Sequence, residues 1–321
     1  MSRRLFVLAA TVCAGLGLAD AATPEQKPAK SATNEKPSDS ASMATGDGPL
    51  QIFSDSGMEM SKDAKLLIAR GNAKAIRGNM TVTADTLIGH YRDKLVNGAP
   101  PPKDKTKEAG SDADPTGGGS EVWRVEAQDR VKIFSPSQTA YGDHADYNID
   151  DAVVVLTGKD LRLITPTDVI TAKDSMEYWD AKHQAVARGD AVATRRDKRI
   201  QADVLVADFA EDENKKMNID VAHGYGHVIL TTPQEVVTGD RSDYVVATGV
   251  ATITGIVHMT HGNNQLDGCY AVVNMNTGIS HLYPAPPGKT VDKACQVKGL
   301  LVPQKNQNQA VPTAAPAPKA P

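Results

Sequence analysis

The strongest constraint on the fold of this chain is a phrase of alternating apolar and polar residues that occurs twice. It reads ARGNAKAIRGNMTVTADTLIGHY at residues 69–91 and returns as ARGDAVATRRDKRIQADVLVADF at residues 187–209. Strict alternation over several residues is typical of a strand with one buried face. A sustained helical stripe of apolar residues is missing from the patterned region, so the chain is predicted to be all-β.

The alternation changes parity once within the first phrase. Val82 and Ala84 share one face, whereas Leu87 and Tyr91 fall together after Asp85. A slip of one residue exchanges the two faces of a strand. We therefore predict a β-bulge or corner at Ala84-Asp85-Thr86, which bends the strand and keeps its apolar side inward.

The same punctuation returns along the chain at intervals of about 25 to 35 residues, which is typical of stacked structural repeats. Each unit begins with a small residue followed by Gly or Asp, at Ala69–Gly71, Ala127–Asp129, Thr157-Gly158, Ala187–Gly189, Ala222–Gly224 and Ala247–Gly249. A pair of strands cannot bury its apolar face alone, so the units must stack. The pattern predicts an antiparallel, twisted sheet of roughly sixteen or more strands, V-shaped in cross-section. A β-helix or solenoid is the alternative architecture.

The N-terminus has the composition of a secretory signal. Residues 1–21 contain Arg3 and Arg4, the apolar run LFVLAATVCAGLGLA and an A-x-A site, Ala19-Asp20-Ala21. This pattern predicts cleavage after Ala21 and export. A lipoprotein signal that uses Cys13 is the alternative, although Val12 is a poor residue before such a cysteine.

Three further segments lack the apolar residues that a packed structure needs. Residues 22–48 are predicted to form a disordered leader, residues 96–120 a disordered insertion and residues 303–321 a disordered tail. The folded domain is then predicted to span residues 49–302. Cys269 and Cys295 would remain after export, and in an oxidising compartment they can form a disulfide or stay as two independent thiols.

The sequence shows no convincing catalytic or metal-binding arrangement. His258 and His261 have H-x-x-H spacing, but their context is a strand and turn, and a third ligand is not evident. The adjacent carboxylates Asp150 and Asp151 are typical of a turn, and His223 and His227 of a solvated surface. The net charge of −4 gives no basis for binding nucleic acid. We therefore predict a protein that binds rather than catalyses, without a metal or cofactor.

The inward positions of the predicted strands are candidates for an apolar groove. These residues are Met58, Met60, Leu67, Val82, Leu87, Tyr91, Ile133, Tyr147, Ile170, Met176, Leu205 and Phe209. Met side chains adapt to several ligand shapes. The small residues Ala69, Gly71, Ala73, Ala75 and Gly89 on the same face are expected to leave space for a ligand. The alternative is that all these residues form a closed core, because one face of any such sheet must be buried.

Two stretches resemble the LptA/OstA-like N-terminal family. The first matches at Gly71-Asn72-Ala73, Gly78, Val82, Ala84-Asp85, Leu87 and Tyr91, and the second at Gly189-Asp190-Ala191, Ile200, Ala202-Asp203, Leu205 and Phe209. The resemblance covers nearly all of residues 50–283. It implies a β-jellyroll that is open at both ends and holds acyl chains in its groove.

The resemblance also implies a function and partners. Family members carry lipopolysaccharide across the periplasm, and they bind by edge-strand pairing to an LptC-like inner-membrane subunit and an LptD-like outer-membrane assembly protein. A head-to-tail homo-oligomer follows from the same edges. We therefore expect a non-catalytic periplasmic bridge that binds the lipid A acyl chains. The alternatives are a periplasmic scaffold of the same family with a filled core and, less favoured, a secreted β-solenoid enzyme acting on polysaccharide.

Overall fold

The computed structural model describes residues 50–93, 120–213, 217–291 and 293–302, and this part of the chain is almost entirely antiparallel β-sheet. The predicted signal peptide, leader and tail lie outside these residues, as does the predicted insertion except for Ser120, which is the first residue of a strand. None of the helices in these ranges is long and apolar enough to cross a membrane.

Eighteen strands are present in the described ranges. The first nine are β1 (Gln51–Phe53), β2 (Met58–Ser61), β3 (Leu66–Arg77), β4 (Met80–Asp93), β5 (Ser120–Ser135), β6 (Gln138–Asn148), β7 (Val153–Thr157), β8 (Leu161–Ile164) and β9 (Asp168–Ala172). The other nine are β10 (Ser175–Trp179), β11 (Gln184–Arg195), β12 (Lys198–Glu211), β13 (Met217–Thr231), β14 (Val236–Val245), β15 (Val250–His261), β16 (Asn264–Asn274), β17 (Ile279–Tyr283) and β18 (Lys298–Leu300). Two 3₁₀ turns lie at Asp180–Lys182 and Lys293–Cys295.

A bend runs across the sheet and divides it into two halves, which we call wings. Most of the strands cross the bend and so contribute residues to both wings. The long strands β3–β6 and β11–β16 run through both wings. Each short strand lies in one wing only. The first wing contains β2, β7, β10 and β17, and the second contains β1, β8, β9 and β18. Every pairing is antiparallel, which confirms the predicted β-jellyroll and excludes the solenoid. Among the described residues, β1 and β2 pair only with β3, and β17 and β18 only with β16, so each end of the sheet has an edge.

A line of β-bulges separates the wings, and we call it the spine. Between Arg70 and Ala73, two residues of β3, Gly71 and Asn72, oppose the single residue Asp85 of β4. The extra residue therefore lies on β3 rather than at Ala84-Asp85-Thr86, so the predicted bulge is at the right level but on the wrong strand. Gly71 and Asn72 have φ angles of 76° and 44°. This left-handed conformation is one that Gly and Asn tolerate best.

Equivalent bulges recur on every second long strand. The bulged pairs are Gly71-Asn72, Asp129-Arg130, Gly189-Asp190, Gly226-His227 and Gly255-Ile256. The residues predicted to begin two of the repeat units, Gly224 and Gly249, do not themselves lie at bulges, which are at Gly226 and Gly255. Gly224 belongs to the inner face of β13, and Gly249 to the turn before β15. Alternation alone did not distinguish a glycine at a bulge from one at a close contact or a turn.

Aspartates at the bulges or beside them line the spine and accept hydrogen bonds there. The contacts are Asn72 Nδ2 to Asp55 at 2.8 Å, Arg130 Nε to Asp85 at 2.7 Å, the Lys159 amide to Asp143 at 2.9 Å, Lys173 Nζ to Asp190 at 2.5 Å and His227 Nδ1 to Asp203 at 2.8 Å. At the last corner, Cys269 of β16 takes the aspartate position and forms a disulfide with Cys295. This bond attaches the segment between β17 and β18 to the sheet.

Candidate functional site

The inner face of the sheet is apolar, and its residues nearest the spine are small. Ala69 and Ala73 of β3 are 1% and 0% exposed, and Ala191 and Ala202 occupy the same level in β11 and β12. The two wings diverge from the spine, so only small side chains fit between them there. At the spine these small residues let the wings pack closely, and the space that they were expected to leave for a ligand stays a prediction.

The twelve candidate groove residues fall into three groups by the exposure of their side chains. Four are buried: Leu87, Tyr91, Ile133 and Leu205. Six are half-buried: Leu67, Val82, Tyr147, Ile170, Met176 and Phe209. Two are exposed: Met58 and Met60. The half-buried and exposed residues are the ones that keep apolar surface in contact with solvent.

Met58 and Met60 extend the inner face to the first edge of the sheet. They pair with Ala69 and Leu67 of β3, so they share the inward side, whereas Glu59 between them faces outward. Met58 is 51% exposed and Met60 is 38% exposed, because no strand of the described chain lies beyond β2. The inner face is therefore accessible at this edge through two adaptable, apolar side chains.

The core is divided into two clusters along the sheet. The larger one lies between β3 and β13 and includes Leu87, Leu156 and Leu205, with Val82, Tyr147 and Met176 packed against it. The smaller one lies between β13 and β16 and contains Leu230, Val237, Ala251, Ile253, Val257, Met259, Ala271 and Val273, all of them at most 4% exposed. Burial is therefore tighter toward the second edge.

Two tyrosines of the first wing, Tyr147 on β6 and Tyr178 on β10, have perturbed pKa values. Burial raises the pKa of Tyr178 to about 12, and Asp180 adds to this effect. Burial and Asp180 also raise the pKa of Tyr147, while Arg77 of the opposite wing opposes them. Burial therefore disfavours the ionised form of both phenols.

Arg195 and Asp168 form an ion pair at the end of the second wing. Arg195 Nε donates to Asp168 Oδ1 at 2.5 Å, and the Asp168 side chain is 17% exposed. Burial acts to raise the pKa of Asp168, but hydrogen bonds from Arg195 and Thr167 outweigh it and hold the pKa below its usual value. The ion pair joins β9 to β11, which are neighbouring strands of the second wing.

His223 and His258 lie on the outer side of the sheet, and His227 lies at the spine. His223 is 19% exposed, and its two ring nitrogens lie 2.6 Å from Asp243 and 3.0 Å from Asp208. This corrects the expectation of a solvated His223, because carboxylates of both neighbouring strands enclose its ring. His227 is 89% exposed, and Asp203 raises its pKa. His258 lies 2.7 Å from Asp267. The described residues contain no group of three or more His, Cys, Asp or Glu side chains that could hold a metal ion.

The two sheet edges expose apolar side chains. Phe53, Met58 and Met60 are exposed at the first edge, and Ile279, Tyr283 and Leu300 at the second. Exposed apolar residues on an unpaired strand favour pairing with another chain. Sequence reasoning identified the inward methionines but missed the apolar residues of β17 and β18, because a short edge strand shows too little alternation to be recognised.

Comparison with known proteins gives two findings. The profile of a family described as "LptA/(LptD N-terminal domain) LPS transport protein" matches the chain twice, at residues 51–174 and 169–279. One similar solved structure is that of LptH, described as the LptA homologous periplasmic component of the conserved lipopolysaccharide transport device from Pseudomonas aeruginosa. It is 17% identical, covers 42% of this chain and 95% of its own, and superposes with a TM-score of 0.37. No curated protein matches. The two profile matches together cover more than half of the chain, whereas the superposition is too weak to carry an argument.

Proposed function

Because the chain belongs to the LptA/LptD N-terminal domain family of lipopolysaccharide transport proteins, we propose that it binds lipopolysaccharide acyl chains on its inner face and bridges the inner and outer membranes. Family membership gives the chain a role in lipopolysaccharide transport, and the family is not catalytic, so the chain is not an enzyme. The family also indicates a periplasmic location.

The observation that carries the lipid-binding proposal is the accessible inner face at the first edge. Met58 and Met60 lie there on the same side as Leu67, and the half-buried Val82 continues the apolar surface toward the interior. Burying apolar surface contributes about 25 cal/mol per Å². An acyl chain that covers these side chains removes apolar surface of both molecules from water, which is the driving force for binding.

Strand direction supports bridging by edge pairing. The chain runs from the second wing into the first along β1 and β2, and from the first into the second along β17 and β18. The two edges are therefore antiparallel to each other. A second copy, or a related LptC-like or LptD-like domain, can extend the sheet at either edge with the two wings in line.

Photo-crosslinking at neighbouring residues tests the lipid-binding proposal. A photoreactive amino acid at Met60 should capture lipopolysaccharide, whereas the same group at Glu59 should not, because Glu59 lies on the outer face of the same strand. Leu87 is a poor probe, since it is 4% exposed and a substitution there would disturb the core. Equal capture at both positions, or capture at neither in a folded protein, would refute binding on the inner face.

The closed cluster between β13 and β16 favours a second candidate function. Its residues fill the space between the wings as an ordinary core does. A scaffold that extends from partner to partner by edge pairing, without bound lipid, needs only such a core. Purified protein that carries no lipid and captures none at Met60, but still pairs through its edges, would establish this alternative.

A further inference from the structure

Two polar contacts connect the ends of the wings on the side of the sheet near the second edge. Lys198 begins β12 at the end of the second wing, and its Nζ donates a hydrogen bond of 2.6 Å to the carbonyl of Met275, which follows β16 at the end of the first wing. Glu235, in the turn before β14, accepts a hydrogen bond from Ser280 of β17. We call these two contacts the latch. Each joins residues far apart in sequence, so only the folding of one wing over the other creates them.

Glu235 is unusual among the carboxylates because it is 8% exposed. A buried carboxylate is costly unless it is hydrogen-bonded. Its contact with Ser280 therefore holds β17 against the turn between β13 and β14, since separating them would leave the carboxylate without this partner.

The residues beneath the latch leave no space for a ligand. Val237 is 0% exposed and Val273 is 1% exposed. The eight buried residues of the cluster between β13 and β16 are all at most 4% exposed. Nearer the first edge, Met176 on the inner face is only half-buried, and Met58 and Met60 are exposed. The inner face is therefore more completely filled toward the second edge.

We infer that the latch closes the inner face over β13–β17 and confines bound lipid to the segment β1–β12. This inference rests on the proposed function for the identity of the ligand. Movement of an acyl chain to the second edge then requires Lys198 to leave Met275 and Ser280 to leave Glu235. A partner that pairs with β17 is in position to cause this, because β17 carries Ser280.

Cysteine labelling tests the latch without any lipid. Val237→Cys places a thiol of similar size under the latch, and its reaction with a maleimide reports opening of the wings. Adding Lys198→Met and Ser280→Ala should speed labelling at residue 237 by about tenfold or more, because the closed state loses both contacts. Peptide mass spectrometry reads this site separately from the other cysteines.

The matched control is Arg199→Met, which removes a positive charge from the next residue. Arg199 is exposed on the outer face and donates to Gln201, so its loss should leave the labelling rate unchanged. Equal rates with and without the latch substitutions overturn the inference. If the double substitution prevents folding, Lys198→Met alone should still give faster labelling than Arg199→Met, and equal rates for those two also overturn it.

Lipid capture then tests the confinement. In the protein with an intact latch, a photoreactive group at Met60 should capture lipopolysaccharide and one at Leu282, on the inner face of β17, should not. With Lys198→Met and Ser280→Ala, both positions should capture it. Equal capture at Leu282 with the latch intact refutes the confinement. Failure of capture at Met60 refutes the proposed function instead, and the labelling rates still decide whether the latch exists.

Discussion

Substitution of a spine glycine tests whether the bulges are fixed by sterics. Gly189 begins the bulge of β11 and has a φ of +84°. A Cβ atom there would lie 2.5 Å from the carboxyl carbon of Asp174 and 2.8 Å from its backbone nitrogen. The backbone nitrogen cannot rotate away as a side chain can. Gly189→Ala therefore requires the segment between β9 and β10 to move away from β11.

The expected cost has two parts. A left-handed conformation costs a residue with a Cβ about 1 to 2 kcal/mol. Overpacking a tight contact adds about 1 to 3 kcal/mol. The free energy of unfolding should therefore fall by about 2 to 5 kcal/mol, and the melting temperature by about 2 to 4 °C for each kcal/mol. The bulge should remain at the same position, because the other hydrogen-bonded pairs of β11 still fix the register of the strand.

The matched control is Gly262→Ala, in the turn between β15 and β16. Gly262 has a φ of +59°, but a Cβ added to it would meet no atom within 4 Å. It should therefore show the conformational cost alone, about 1 to 2 kcal/mol. Urea unfolding followed by the fluorescence of Trp179, which lies at the end of β10, measures both. Equal losses for the two variants would refute the steric account of the spine.

Two further predictions concern the ion pair and the second edge. Arg195→Met should lower the free energy of unfolding by about 1 to 2 kcal/mol near neutral pH. Because the pKa of Asp168 is depressed in the folded state, this stabilisation is present above the unfolded-state pKa and is lost as the pH falls through the folded-state pKa, so urea unfolding of variant and parent should converge in acid. Leu300→Lys, on an edge strand, should weaken self-association in sedimentation velocity, whereas Ile256→Lys, at an even more exposed apolar residue of the spine, should not. Equal effects at the two positions, or a parent protein without self-association, would count against pairing through β18.

Much of the fold follows from local features of the sequence. The alternation around Leu67, Val82 and Ala202 indicates strands with one buried face, and the recurring Gly and Asp residues indicate where those strands bend. The resemblance carried by Gly71-Asn72-Ala73 and Gly189-Asp190-Ala191 identified the family. These features are recognisable because strand alternation and bulge chemistry depend on residues close together in the chain.

The closure of the inner face was decided only by the tertiary structure. Sequence patterns placed Leu87 and Met60 on the same side, but they gave no indication that Leu87 is buried in the core while Met60 is exposed at an edge. They also gave no sign of the contact between Lys198 and Met275. The reason is that the alternation of a strand determines which side a residue faces, whereas the twist of the sheet and the sizes of side chains on both wings determine what covers it.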